Sequence, residues 1–215
     1  MNLPFSSHLL FNVSMGIYLL GFVAYLVYAT SKNVRIGKVS TGLLITGLLF
    51  HSVGLILRWM ETHQTGYGYV PLSNMYESLI FFSWTIVLIY LILETKYQQK
   101  VIGVFVTPFA FLAIALTSII PGVNANITPL VPALQSNWLT IHVTTCFFGY
   151  ASFAVSFGIS FLYLIREKKD AKGSGPTWLP SPSVLDEINY KAIVIGFPML
   201  TLGIITGAAW ANYAW

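Results

Sequence analysis

The sequence predicts an all-α polytopic membrane protein with six transmembrane helices and both termini on the non-cytoplasmic side. Of its 215 residues, 56% are hydrophobic and 8% charged. An average soluble domain has about 25% charged residues, so this chain cannot clothe a soluble globule. The charges cluster between long apolar runs, each near the roughly 20 residues that cross a hydrocarbon core about 30 Å thick. Only helices and closed barrels satisfy the backbone in lipid. The runs show no period-two alternation, which selects helices.

The first run, Leu9–Ala29, lacks a basic leader and a small-residue cleavage site, so it reads as a retained helix and not a signal peptide. Val39–Leu57 is the second. Leu79–Leu93 is the shortest, and a helix there is expected to borrow residues from Asn74–Ser78. Val101–Ile120 and Ala192–Ala211 contain Pro108 and Pro198, tolerated where neighbours satisfy the freed carbonyl. Between the fifth run, Trp138–Ile165, and the sixth, the stretch Arg166–Tyr190 reads as a flexible linker, with Gly173-Ser-Gly-Pro176 and Pro180-Ser-Pro182. Ser183 ahead of Asp186 and Glu187 marks a helix start. Gly203-Ile-Ile-Thr-Gly207 is a GxxxG pattern, read as close helix packing. With no soluble domain or repeat, residues 1–215 form a single integral-membrane domain.

Orientation follows from the cations. Ten of the eleven lie in alternate loops: Lys32, Arg35 and Lys38; Lys96 and Lys100; then Arg166, Lys168, Lys169, Lys172 and Lys191. The opposite loops have Arg58 alone, with Glu61 and Glu77. The basic face is therefore cytoplasmic, or the equivalent side of an organelle, and the basic pI reflects topology and not a nucleic-acid partner. The single cysteine, Cys146, excludes an internal disulfide, a Cys-x-x-Cys redox pair and a c-type haem attachment site. No Gly-rich phosphate loop, paired catalytic carboxylates or nucleophile elbow is present, and no catalytic residue is assigned.

Ionisable groups within a bilayer are costly, which makes each a functional candidate. His142 opens the fifth helix about 6 Å below Trp138, at 1.5 Å per residue. Such an imidazole can ligate a metal through one nitrogen while the other takes a backbone partner, or it can simply bond headgroups. His51 lies deeper, about 10 Å below Arg58. Gly47 and Gly54 make room there for another helix, and the alternative to a ligand is an interhelical hydrogen bond. Arg58 is either an interfacial snorkeller or the partner of a bound carboxylate. Trp59, Tyr67, Tyr69 and Tyr76 form either an aromatic belt or part of a site for a flat ligand. His8 and His63 read as solvated, and Cys146 as a small packing residue.

At Pro71-Leu-Ser-Asn-Met-Tyr-Glu-Ser-Leu79 the chain resembles the CcsA or ResC family (CcsB in some bacterial naming) of haem-handling membrane proteins in cytochrome c assembly. Three further stretches agree in order: Leu134-Gln-Ser-Asn-Trp138-Leu-Thr-Ile-His142-Val143, Leu185-Asp-Glu-Ile-Asn-Tyr190, and Gly196-Phe-Pro198 leading through Gly203–Gly207 to Trp210 and Trp215. The resemblance covers essentially the whole chain. It implies that His142 is the first of two external histidines associated with haem. It also implies that Trp215 is the first tryptophan of the family's Trp-Gly-x-x-Trp-x-Trp-Asp signature, so that the chain matches the N-terminal part of a longer family member.

The expected function is presentation of haem (haem b, in transit as a substrate) at the outer face of the bacterial inner membrane. Apocytochrome c supplies the Cys-x-x-Cys-His thiols there, and a ResB-like membrane partner assists. The candidate haem-binding residues are His142, also the metal ligand, with Trp210, Trp215, Arg58 and His51; the resemblance assigns no family role to His51. Haem needs an axial imidazole, aromatic surfaces and a cation for its propionates, and the outer face offers all three. Beside this reading stand a purely structural membrane subunit, which would isolate without pigment, and two more specific rivals. One is a respiratory subunit with a b-type haem between His51 and His142. The other is a small-solute transporter, which would favour paired intramembrane carboxylates or an inverted repeat.

Overall fold

A computed structural model describes residues 6–173 and 178–214. It contains six long helices, all apolar enough to cross a membrane: α1 (Ser7–Ser31), α2 (Val34–Gln64), α3 (Met75–Tyr97), α4 (Gly103–Ile119), α5 (Asn137–Asp170) and α6 (Pro182–Ala214). Short 3₁₀ turns at Lys100–Ile102 and Pro132–Leu134 precede α4 and α5. Side-chain caps set the starts. Ser6 accepts from Leu9 N, Asn33 from Arg35 N, Asn74 from Glu77 N and Ser136 from Trp138 N, each satisfying an amide that has no partner within its helix. The third helix does borrow Met75–Ser78, and Asn74 is its cap.

Three expectations need correction. α2, α5 and α6 run well past their apolar runs, because their polar ends remain helical outside the hydrocarbon. The linker after α5 therefore shrinks to 171–181, of which residues 174–177 lie outside the described residues. α6 begins at Pro182 and not after Ser183, since proline has no amide to leave unpaired and its fixed φ suits the first helical position.

The α1–α2 pair shows why these sequences pack. On α1 the buried residues Phe11, Ser14, Tyr18, Gly21 and Tyr25 recur at alternating intervals of three and four. On α2 Gly37, Ser40, Leu44, Gly47, His51, Gly54 and Arg58 do the same. That repeat keeps one seam facing its partner in left-handed helix pairing. The rings of α1 enter the glycines of α2: a Cβ on Gly47 would lie 2.6 Å from the Tyr18 ring, and one on Gly54 2.7 Å from Phe11. The sequence reading that these glycines admit another helix holds, and the helix is α1.

α3 and α4 pack on each other, α4 also on α1, and α3 also on α5. Polar links run through this apolar bundle. Ser83 donates to Ala110 O at 2.7 Å between α3 and α4. At the basic end Glu94, 3% exposed, accepts from Tyr25, from Thr41 Oγ1 at 2.5 Å and from Lys100 Nζ at 2.7 Å. One carboxylate thereby joins α1, α2, α3 and the turn into α4. α6 packs chiefly on α5, with Ser156 and Ser160 of α5 bonded to the Asn189 amide at 2.6 and 3.0 Å. Its other faces leave Ile195, Phe197, Ile204 and Ile205 exposed.

Candidate functional site

The start of α1, the segments 65–74 and 120–136, and the end of α6 share the face opposite the basic loops. His142 is half-buried there, where α5 meets α6. Its Nδ1–H donates to the Gly203 carbonyl of α6 at 2.7 Å. The two glycines of the GxxxG pattern create the space. A Cβ on Gly203 would meet Cys146 Sγ at 2.5 Å, and one on Gly207 would meet His142 Nδ1 at 2.6 Å. The imidazole lies parallel to the Trp210 indole, with centroids 6.2 Å apart and planes within 7°. Trp210 is itself fixed, its Nε1–H donating to Ala133 O at 2.8 Å in the 3₁₀ turn before α5.

This arrangement settles which nitrogen is available. A carbonyl can only accept, so Nδ1 carries the proton and Nε2 presents its lone pair, the form a metal binds. Nε2 makes no hydrogen bond to any described residue. Cys146 Sγ lies 3.6 Å from Nδ1 and is buried, in keeping with a packing role. Trp215 lies outside the described residues.

Arg58 is 4% exposed, which is not the geometry of a snorkelling side chain. Its Nε and Nη2 donate to Glu77 Oε1 at 3.1 and 3.0 Å, and its Nη1 donates to Ala125 O at 2.8 Å. Glu61 stands 3.8 Å from Nη1 and accepts the backbone N–H and the hydroxyl of Ser7. The second oxygen of Glu77 takes the N–H and O–H of Ser73. The guanidinium edge is thus filled by the protein's own acceptors. Sequence reasoning passed over Glu77 as a partner, although it lies within the Pro71–Leu79 motif.

The aromatic set divides. Trp59 and Tyr67 are exposed, as belt residues would be, whereas Tyr69 and Tyr76 are buried. Tyr76 stacks beneath the Arg58 guanidinium, 5.5 Å from ring centroid to Cζ. Burial, and then the nearby Glu77 charge, push the Tyr69 phenol above its ordinary pKa, so it remains neutral. A cavity of about 430 Å³ opens between the 66–73 segment and the first turn of α5, lined by Tyr67, Tyr69, Ser73, Gln135 and Thr140 among others. An apolar groove of about 370 Å³ lies below it, walled by Trp59, Phe81, Trp84 and Phe148.

His51 and His142 are not brought together. His51 is fully buried, its Nδ1 is 3.1 Å from the Tyr18 hydroxyl, and Phe11 and Tyr18 cover its ring. Each histidine is held by its own helix pair. His8 and His63 are exposed at the helix ends.

A family model described as "Cytochrome C assembly protein" matches residues 72–215. Among curated relatives, the cytochrome c biogenesis protein CcsA of Microcystis aeruginosa is 33% identical over 265 aligned positions, covering 100% of this chain and 79% of the relative. CcsA of Mesostigma viride is 34% identical, covering 100% and 77%. CcsA of Chlamydomonas reinhardtii is 37% identical, covering 86% and 51%.

Proposed function

From the premise that this chain belongs to the CcsA family of cytochrome c assembly proteins, we propose that it holds haem b at the face opposite the basic loops and presents it to apocytochrome c. The observation that carries this is the His142–Gly203 hydrogen bond, which fixes the tautomer with Nε2 free. Haem supplies the reactive vinyl groups; the protein supplies place and orientation. His142 Nε2 would hold the haem iron, with Trp210 keeping the imidazole plane in place. Trp215 is assigned to the site by the family resemblance alone. Arg58 shapes the site from behind, because its hydrogen bonds go to Glu77 and Ala125. His51 is an interhelical contact of α1 with α2. Against a haem between His51 and His142 stands their separation into different helix pairs. The partner is a ResB-like membrane protein, an assignment supported by the family resemblance alone.

The cation bias of the loops supports a site on the external side of the bacterial inner membrane, or the equivalent side of an organelle. Reporters inserted after Gly66 and Asn126 should read external, and one after Lys172 cytoplasmic; the reverse pattern would overturn the orientation. Deleting the gene in its host should abolish haem-stained c-type cytochromes while the apoproteins are still made. Normal haem staining in the deletion strain would overturn the function.

A further inference from the structure

We infer that Arg58 and Glu77 are positioning residues for the haem-facing imidazole: together they hold the 120–136 segment where it seats Trp210 against His142. The inference rests on reading His142 as the haem ligand. The segment has no α-helix or strand, only one 3₁₀ turn. Among the described residues, two hydrogen bonds tie it to helices across the site. One runs from Arg58 Nη1 of α2 to Ala125 O, the other from Trp210 Nε1 of α6 to Ala133 O. Val123, Ala125 and Ile127 are half-buried and alternate with exposed Asn124, Asn126 and Thr128, and the first tie holds this stretch at its Ala125 carbonyl. The second depends on where that leaves Ala133.

The chemistry of the pair suits this task better than it suits stability. A buried ion pair gains little over apolar residues of equal volume, yet it specifies one geometry. The guanidinium is planar, with donors in a fixed fork. Here that fork reaches a carboxylate of α3 and a carbonyl of the 120–136 segment at once, above the Tyr76 ring. Glu77 in turn holds Ser73. Both external segments are registered by one buried pair, at 4% and 2% exposure.

The test uses the full chain in detergent with two readouts. One is the rate at which diethylpyrocarbonate modifies His142, followed by peptide mass spectrometry; the other is the Soret band on titration with haem. Arg58→Gln and Glu77→Gln should each raise the His142 rate on the order of tenfold, the factor for losing a charge-assisted hydrogen bond, and should shift the Soret band. Arg58→Lys should recover part of this, since a point charge cannot span both acceptors. Ser73→Ala, which leaves the ion pair intact, should do less and serves if the charge variants fail to fold. Glu94→Gln perturbs the buried network at the basic end and should leave the His142 rate unchanged. An unchanged rate in Arg58→Gln and Glu77→Gln, or an equal rise in Glu94→Gln, overturns the inference. Absence of a Soret band in the wild type would instead refute the haem reading, while the labelling rates still judge the positioning.

Discussion

Replacing His142 with alanine is expected to abolish tight haem binding while expression, insertion and thermal stability stay close to wild type. The side chain is half-buried and its one strong partner is a backbone carbonyl. Removing it frees the Gly203 carbonyl at a site partly open to water and breaks no ion pair. Losing a hydrogen bond that merely supports a metal ligand costs about 10- to 100-fold in affinity. Losing the ligand itself should cost at least roughly 100-fold. Titration with haem, followed by the Soret band, measures this directly. Free imidazole should restore part of the band, because it can enter the space left beside Trp210 and supply the same lone pair. A His142→Ala titration indistinguishable from wild type would remove His142 from the site.

Gly207→Ala should nearly match that loss without touching the ligand. The added methyl would stand 2.6 Å from Nδ1 and 2.7 Å from Cε1 of His142, closer than van der Waals contact permits. The ring must move, giving up the Gly203 hydrogen bond and its parallel alignment with Trp210. Haem affinity should fall about 10- to 100-fold, the range for losing the hydrogen bond that orients a metal ligand. The substitution favours the helix itself, since alanine exceeds glycine by about 1 kcal/mol in helix propensity, so lost affinity cannot be ascribed to unwinding of α6. Gly42→Ala, where the new methyl meets nothing within 4 Å, supplies the control and should leave binding unchanged. Full affinity in Gly207→Ala would show that the ligand is not seated against α6.

Much of the architecture was legible in the sequence because lipid imposes a severe rule: every crossing segment must be long, apolar and helical. The six spans, the Asn74 start of α3 and the packing role of Gly203–Gly207 follow from that rule and from local capping chemistry. What packs against those glycines was not legible. His142 and Gly203 are 61 residues apart, and nothing periodic links them. Lys100 shows a second kind of loss. In the sequence it counts as one more topological cation; in the fold it is the partner of buried Glu94. Arg58 shows a third. As the one cation of the external loops it read as either an interfacial snorkeller or the partner of a bound anion, yet Glu77 was within reach once α2 and α3 folded back on each other. A charge's partner depends on the turn between helices, and hydropathy carries no signal for that turn.

The docking of α6 on α5 has a bearing on the order of events during synthesis. Both groups that hold the His142 ring, the Gly203 carbonyl and the Trp210 indole, come from the sixth helix. A nascent chain with five helices in the bilayer already has its imidazole, but the proton is free to sit on either nitrogen and the ring is free to rotate. The ring is therefore oriented only once α6 leaves the insertion machinery and closes on α5. On the proposed reading of His142 as haem ligand, a chain that has inserted only α1–α5 presents no oriented imidazole, so the order of assembly would guard against premature capture of a reactive porphyrin.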